Sequence, residues 1–503
     1  MRRLLATPAP GNLFALFALL VISLSAAGIF LLPEREPSLD RAEQHWRRQE
    51  FRHARTLALQ WLNRNPHDSD AWCMVVASYV VDRSEPDENL WDRVRGTATQ
   101  TRFHSLFAYS LGLSLSPHAR VPQSPELLRD LGCVLDRLDQ SVAALDHYKA
   151  AEKLEPDLES RHHILSLERR LGWKQDFRQH MRDPEFFAAS DPWLRMHFYA
   201  AEGMPGPMLL DSARAQWAAY DADTLVPAII VGACWLIMAL HMCGFSDWKK
   251  LWYVPFALIL GVLSTYPTLA LVLVQENAFP YETSQKQWLI SLLYAVLGIG
   301  LREETMKLLL AMPLLFALRR YAGIHALTAA ALVGLGFAVE ENTQYYADGG
   351  AAVMGRFLTA NFAHMAWTGL AGLAFVEGLN DERKWGLFLE TFCLVVASHG
   401  LYDFFIIEPS MGSVIFLSSI VFILLAQKYF ARVSSITPRV RRRIPLVTLF
   451  TAVLAVSCST AYVMLARETH YLHAIAGTAG SLVGIVFISI IFYREFWAQE
   501  MGR

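Results

Sequence analysis

The stretch WLISLLYAVLGIGLREETMKLLLAMPLLFAL, residues 288–318, is long enough to cross a lipid bilayer, yet it carries four charged side chains near its middle. A spanning helix needs about 20 mostly apolar residues. An ionisable side chain in the bilayer core costs at least about 2.5–3.5 kcal/mol, so it normally faces the interior of a helix bundle and serves a function. This stretch therefore predicts a transmembrane bundle with a polar centre.

The composition agrees with a membrane protein. The chain has 503 residues, of which 53% are hydrophobic and 18% are charged, and the charged residues are scarce after residue 220. A net charge of −2 gives no basic field that would favour nucleic acid. The six cysteines form no C-x-x-C pair, so a zinc knuckle or thioredoxin-like site is not predicted. Cys73 and Cys133 lie in the polar part and could pair only if that part is extracytoplasmic.

Apolar runs divide the chain into three parts. Residues 1–32 carry Arg2 and Arg3 near their start and contain an apolar run longer than the about 7–15 residues of a cleaved signal peptide, so we interpret them as a signal anchor and first transmembrane helix. The alternative is a signal peptide cleaved near the small residues at positions 25–27. Residues 33–220 contain no spanning run, and residues 221–503 form a predicted multi-helix transmembrane domain. Its nine predicted spans are Leu225–Cys243, Leu251–Val274, Trp288–Leu318, His325–Tyr345, Phe357–Leu379, Trp385–Ile407, Val414–Phe430, Leu446–Leu465 and His473–Phe492.

A repeat-like pattern occurs within residues 33–220. Leucines and a glycine at positions 128–135, followed by Ala144, Tyr148, Ala151 and Pro156, have the spacing of a tetratricopeptide repeat. A weaker copy ends at a proline 90 residues earlier, which is not a multiple of about 34 residues. The pattern favours a partner-binding helical solenoid, and the alternative is an ordinary helical domain with one fortuitous match.

Charges in the short loops predict the orientation, because loops rich in Lys and Arg stay in the cytoplasm. Arg2 and Arg3 place the N-terminus in the cytoplasm. Because successive spans cross the membrane in alternating directions, all later basic segments then lie in the cytoplasm as well. These segments are Lys249 and Lys250, Arg319 and Arg320, Arg383 and Lys384, and Arg439 to Arg443. The predicted fold class is thus an all-α, polytopic transmembrane helix bundle with an N-terminal extracytoplasmic tetratricopeptide-like helical domain.

Four consecutive predicted spans carry polar clusters at a similar depth. Given the helical rise of about 1.5 Å per residue, three clusters lie about 21–24 Å from the inner surface and one about 12 Å from the outer surface. The residues are Glu303, Glu304 and Lys307; Glu340, Glu341, Asn342 and Tyr345; His364; and His399 with Asp403. The spacing i,i+4 places Glu303 with Lys307, and His399 with Asp403, on shared helix faces. We therefore expect these side chains to meet in one hydrated chamber.

Two kinds of chemistry fit such a set. A desolvated glutamate can act as a general base toward water, and histidines can donate to an oxyanion or a leaving amine. Alternatively, Glu341, His364 and His399 could bind a metal ion with water as the fourth ligand. The sequence alone leaves both mechanisms open.

These motifs resemble a known series. Glu303-Glu304-x-x-Lys307, Phe337-x-x-x-Glu341-Asn342-x-x-Tyr345, His364-x-x-Trp367 and His399-Gly-Leu-Tyr-Asp403 are similar, in this order, to the motifs of the PrsW family. That family is described as glutamic-type, formerly metallo-, intramembrane endopeptidases, similar to the CAAX prenyl endopeptidase superfamily. The resemblance covers residues 288–405.

The resemblance implies roles for the site residues. Glu303 or Glu304 would activate water, and Lys307 would fix the local charge. His364 and His399 would polarise the scissile carbonyl or bind metal. Glu341 would assist or take a ligand position, and the supporting residues would be Lys307, Asn342, Tyr345 and Asp403. No cofactor is expected on the glutamic mechanism, and a divalent zinc ion is expected on the other.

The resemblance also implies a substrate and a location. The substrate would be a membrane protein cut in or near its span, for some members an anti-sigma factor, and the location a bacterial inner membrane. The expected partners are this substrate, a protein bound by the N-terminal domain, and membrane lipid, but no nucleic acid. The rival function classes are a proton- or ion-coupled transporter and a non-catalytic membrane scaffold or sensor.

Overall fold

A computed structural model describes residues 10–31, 38–82, 106–107, 110, 124–245, 251–278, 288–347, 352–437, 444–468 and 471–500. Helices make up nearly all of this part of the chain, and no β-strand occurs in it. The all-α prediction is therefore confirmed. Contacts divide the chain into one unit comprising Met1–Glu34 with Gln216–Arg503, and a second unit, Arg35–Ala215. Helix α1, Pro10–Leu31, belongs to the first of these.

The unit Arg35–Ala215, called here the N-terminal unit, is a succession of short helices. They are α2 Leu39–Arg47, α3 Phe51–Leu62, α4 Ser69–Asp82, α5 Pro125–Arg137, α6 Ser141–Leu154, α7 Leu158–Arg170, α8 Lys174–Met181, α9 Pro184–Ala189, α10 Pro192–Ala201 and α11 Pro205–Ala218. Ser124 and Asp191 accept hydrogen bonds from backbone amides in the first turns of α5 and α10, and a proline follows each of them. A capping side chain followed by proline is a strong signal for a helix start.

Helices α5 and α6 pack closely against each other. Ala144, Tyr148 and Ala151 are buried on α6. A Cβ atom on Gly132 of α5 would lie 2.9 Å from the Tyr148 ring, so the glycine permits the close approach of the two helices. The assignment of this unit to the tetratricopeptide class stays a prediction.

Buried histidines make the stability of the N-terminal unit depend on pH. Burial lowers the pKa of His197 from 6.5 to about 3, and Arg169 nearby acts in the same direction. The unfolded chain therefore binds a proton below pH 6.5 that the folded unit does not bind, and the free energy of unfolding falls as the pH falls from 6.5 toward 3. Burial also lowers the pKa values of His45 and His163. Each unit of difference in pKa between the folded and unfolded states corresponds to about 1.4 kcal/mol. We therefore expect His197→Gln to make the acid-induced decrease in the free energy of unfolding smaller by a few kcal/mol.

Hydrogen exchange of the α10 amides in the full-length protein, measured between pH 7 and pH 4, reports this dependence. His67→Gln is the matched control, because His67 is exposed in the same unit. Equal pH slopes in wild type and both variants would contradict the prediction.

The other unit, called here the membrane unit, contains α1 and the long apolar helices. They are α12 Ala222–Met242, α13 Val254–Ala278, α14 Trp288–Leu293, a π-helix Tyr294–Gly300, α15 Leu301–Leu318, α16 Gly323–Ala347, α17 Ala352–Asn380, α18 Trp385–Ile407, α19 Phe416–Ile436, α20 Leu446–Glu468 and α21 Tyr471–Glu500. Short 3₁₀ segments, Glu382–Lys384 and Pro409–Val414, precede and follow α18.

Seven helices within the described residues are long and apolar enough to cross a membrane, which supports an integral multi-pass protein. They correspond to α1, α12, α13, α16, α18, α19 and α20. The predicted spans Trp288–Leu318, Phe357–Leu379 and His473–Phe492 fall on long helices that are outside these seven. Two of the three carry part of the polar cluster, which lowers their hydropathy.

Helix α16 lies at the centre of the membrane unit, with 89% of its candidate span buried. Small residues let neighbouring backbones approach it, as is common between membrane helices. A Cβ on Gly334 would lie 2.1 Å from the His364 carbonyl oxygen of α17. Similarly, a Cβ on Gly400 of α18 would lie 2.4 Å from the Cα of Val296 in the π-helix. These contacts bring α16, α17, α18 and the helix carrying the charged cluster close together.

Candidate active site

Four helices contribute polar side chains to one buried cluster. Helix α15 supplies two glutamates and a lysine, α16 supplies Glu341, α17 supplies His364 and α18 supplies His399. Hydrogen bonds and ion pairs connect these side chains across the four helices. The structure thus brings together most of the residues that the sequence singled out, whereas Glu340, which was expected in the same chamber, lies outside the cluster and contacts Tyr220.

Lys307 lies in the middle of this cluster and is 0% exposed. Its Nζ lies 2.8 Å from Glu304 Oε1, 3.2 Å from Glu303 Oε2 and 2.8 Å from His364 Nδ1. The ammonium also lies 3.8 Å from the centroid of the Phe337 ring, a cation–π contact. Helical spacing placed Glu303 beside Lys307, and the structure shows that the lysine contacts Glu304 as well.

The two adjacent glutamates differ in how they are held. Glu304 is 1% exposed, and both of its oxygens are engaged. Oε1 lies 3.0 Å from His399 Nδ1, and Oε2 accepts a hydrogen bond of 3.0 Å from Thr368. Glu303 is 7% exposed, and its recorded contacts, to Lys307 and to His399, go through Oε2 alone. Glu303 is therefore the carboxylate with more freedom to meet another molecule.

Carboxylates face both ring nitrogens of His399. Nδ1 lies 3.0 Å from Glu304 Oε1, whereas Nε2 lies 3.3 Å from Asp403 Oδ2 and 3.6 Å from Glu303 Oε2. A carboxylate accepts hydrogen bonds, so both nitrogens donate in this arrangement. The ring also stacks on Trp367, with centroids 4.0 Å apart and an interplanar angle of 9°. His399 is thus fixed in position and orientation.

His364 connects the lysine to Glu341. An ammonium can only donate, so His364 Nδ1 accepts from Lys307 and the ring proton is assigned to Nε2. Nε2 then donates to Glu341 Oε2 over 3.1 Å. The same carboxylate oxygen accepts a hydrogen bond of 2.8 Å from Arg356.

Arg356 organises the outer edge of the cluster. It donates to Asn342 Oδ1 over 3.0 Å, and its guanidinium lies 3.7 Å from the centroid of the Tyr345 ring. Asn342 in turn donates to Asn361 on α17. Asn342 and Tyr345 thus position Arg356, and Arg356 in turn positions Glu341. Among the described residues, neither Asn342 nor Tyr345 forms a hydrogen bond with Glu303 or Glu304.

Two members of the cluster were missed from the sequence. Thr368 lies four residues after His364 on the same helical face, and this spacing could have indicated it. The other is Arg356 on α17, a partly buried arginine that forms an ion pair with Glu341.

A metal-ion geometry is present among the described residues. Glu303, His364 and His399 each offer one donor atom, and these atoms lie within 4.8 Å of one another. One oxygen and two imidazole nitrogens are a ligand set that suits zinc. The set proposed from the sequence contained Glu341 in place of Glu303, and Glu341 instead contacts Arg356 and His364.

These helices and this cluster define an integral membrane protein with a buried acid–imidazole site. Residues 249–427, which contain all four contributing helices, match the family model described as PrsW family intramembrane metalloprotease. This segment of the membrane unit is thus similar to the PrsW family. No curated protein and no solved structure gives a significant match to the chain.

Proposed function

We propose that this protein is an intramembrane endopeptidase that hydrolyses a peptide bond in or near the membrane span of another membrane protein. The family supports proteolysis in the membrane in general. The observation that carries the specific proposal is the buried contact of Glu303, Glu304 and Lys307 with His364 and His399.

Glu303 is the proposed general base. Its Oε1 has no recorded hydrogen bond among the described residues, whereas both oxygens of Glu304 are occupied. Glu303 would take a proton from a water molecule as the water oxygen bonds to the scissile carbonyl carbon. The C–N bond then breaks, and the proton passes to the leaving amine.

His399 is the proposed hydrogen-bond donor to the developing oxyanion. Its Nε2 lies between Asp403 and Glu303, at the side of the cluster where these two carboxylates retain some exposure. Glu304 and Asp403 hold the ring from its two nitrogens, so little reorganisation is needed during the reaction. Lys307 compensates the negative charge of the glutamates, and Glu341 orients His364.

The name of the family implies a metal ion, and the residues present fit one. Glu303, His364 and His399 would hold it, and a bound zinc ion would supply a polarised carbonyl and an acidified water. We assign the water step to Glu303, because its contacts to Lys307 and His399 use Oε2 and its Oε1 can meet a water molecule.

We accordingly expect hydrolysis to survive treatment with 1,10-phenanthroline, with activity within about twofold of the untreated protein, since no loss of a general base is involved. Activity and bound zinc should be measured on the same purified sample. Loss of activity on chelation, with recovery on addition of one equivalent of zinc, would overturn the glutamate mechanism in favour of the metal one.

Cleavage in a reconstituted membrane tests the function itself. Purified protein in liposomes is given reporter fusions that each carry one transmembrane span, and the fragments are mapped by mass spectrometry. We expect wild type to cut at least one span, and both Glu304→Gln and His399→Ala to lose at least about 10²-fold in rate while inserting normally. His325→Ala is the matched control, because His325 is a buried histidine of the same unit that contacts Tyr253. Proton-coupled flux without cleavage would favour a transporter, and neither activity would favour a scaffold.

The N-terminal unit is proposed to present substrates or to sense a signal on the extracytoplasmic side of a bacterial inner membrane. The basic segments in the short loops of the membrane unit support this placement. An anti-sigma factor is a proposed substrate class. Deletion of residues 40–210 should change which reporter spans are cut, and an unchanged substrate profile would count against this role.

A further inference from the structure

Two cysteines from neighbouring helices of the N-terminal unit lie side by side. Cys73 on α4 lies in the buried apolar cluster of this unit, and Cys133 on α5 packs against that cluster. Each thiol also contacts the helix of the other. Cys73 Sγ lies 3.5 Å from the Asp130 carbonyl oxygen on α5, and Cys133 Sγ lies 3.6 Å from Asp70 Oδ1 on α4.

The two helices are held firmly at this point. Ser69 Oγ of α4 donates to Asp130 Oδ1 of α5 over 2.5 Å. Met74 on α4 and Leu131 on α5 belong to the same buried apolar cluster. A disulfide needs an S–S bond of about 2.05 Å and a restricted separation of the two backbones. Since each thiol already contacts the helix that carries the other, side-chain rotation accounts for most of the movement required.

The two thiols differ in access. Cys73 is fully buried, and the neighbouring thiol of Cys133, together with burial, raises the pKa of the Cys73 thiol well above the usual range. Cys133 is partly exposed and lines a groove of about 880 Å³ that also borders Tyr148 and Arg137. A groove of this volume admits a small peptide or a flexible segment of another protein. A reagent therefore reaches Cys133 before Cys73.

We propose that Cys73 and Cys133 are a redox-active pair that is oxidised to an intramolecular disulfide joining α4 to α5. The oxidant is a small-molecule disulfide, or a protein that carries a disulfide, which enters the groove. Such bonds form and persist in oxidising compartments, which is where the N-terminal unit is proposed to lie. The disulfide closes a loop of about 60 residues, a length at which cross-linking stabilises a fold appreciably.

The chemistry balances with oxidised glutathione as the oxidant. The Cys133 sulfur attacks one sulfur of the glutathione disulfide, and the first glutathione thiol leaves with the proton from Cys133. Cys73 then attacks the Cys133 sulfur of this mixed disulfide, and the second glutathione thiol leaves with the proton from Cys73. Two protein thiols are oxidised, and one molecule of oxidised glutathione is reduced to two thiols.

Peptide mapping of the full-length protein tests this pair. The purified protein is incubated with oxidised glutathione, its free thiols are alkylated, and the digest is analysed without reduction. We expect a peptide that links Cys73 to Cys133 to account for most of both cysteines, and dithiothreitol to abolish it. We also expect amide exchange in α4 and α5 to slow by at least about tenfold on oxidation.

Three variants keep this test decisive. Cys73→Ser should stop at the mixed disulfide of Cys133 with glutathione, and Cys133→Ser should leave Cys73 unmodified until the protein is denatured. Cys393→Ser is the matched control, because Cys393 is an exposed cysteine of the membrane unit, and it should form the link as wild type does. The proposal is overturned if wild type stops at the mixed disulfide, or if both cysteines are recovered as free thiols.

Discussion

Replacing Glu303 by glutamine is expected to reduce the rate of peptide hydrolysis by about 10²–10⁴-fold, the usual contribution of a general base. Glutamine keeps the size of the side chain and can still accept from Lys307, but its amide cannot take a proton from water. Because Glu303 contacts Lys307 at 3.2 Å and His399 only at 3.6 Å, the variant should keep the packing of α15. Membrane insertion and melting temperature should therefore stay close to wild type.

Single-turnover cleavage of a reporter span in liposomes measures this effect without interference from product release. Glu340→Gln is the matched control, because Glu340 is a buried glutamate that contacts Tyr220 and lies outside the cluster. It should cut at the wild-type rate. If Glu303→Gln remains active while Glu304→Gln is inactive with normal stability, Glu304 is the base and the assignment of the pair must be reversed.

Replacing Lys307 by methionine is expected to destabilise the membrane unit by about 3–5 kcal/mol, the usual cost of removing one partner from a buried ion pair. The lysine neutralises Glu303 and Glu304 at once and donates to His364, and all of these groups are buried. Without it two adjacent carboxylates repel each other, and a ring nitrogen loses its donor. Hydrolysis should be lost together with stability.

Thermal unfolding in detergent measures this loss, with Lys428→Met as the control at an exposed lysine of α19. The double variant Glu303→Gln with Lys307→Met should recover part of the lost stability, because it removes one of the two unpaired charges. Additive losses in the double variant would mean that Glu303 and Lys307 are not energetically coupled.

Local spacing predicted much of the site. The i,i+4 rule placed Lys307 beside Glu303 and Asp403 beside His399, and both contacts occur, at 3.2 and 3.3 Å. These predictions succeed because both partners lie on one helix, where the geometry is fixed by the backbone. The cost of burying charge then explains why four such helices turn their polar faces toward one another.

Contacts between helices were harder to predict. The difference between Glu303 and Glu304 depends on Thr368 and His399, which come from α17 and α18. Which residues can bind a metal ion together depends in the same way on how each helix is rotated about its own axis, and a sequence pattern does not give that rotation. Two of the predicted spans, on α15 and α17, are less apolar than the seven candidate spans, because helices that carry the polar cluster need not be apolar themselves when the bundle surrounds them.

The π-helix Tyr294–Gly300 separates two environments along one transmembrane segment. The turns before it, Trp288–Leu293, contain no buried residue, whereas Glu303, Glu304 and Lys307 after it are enclosed. A π-turn holds one more residue than an α-turn, so it offsets the angular phase of the following helix. The exposed apolar side of this segment and the side that carries the proposed catalytic residues can therefore be set at different angles around the helix axis.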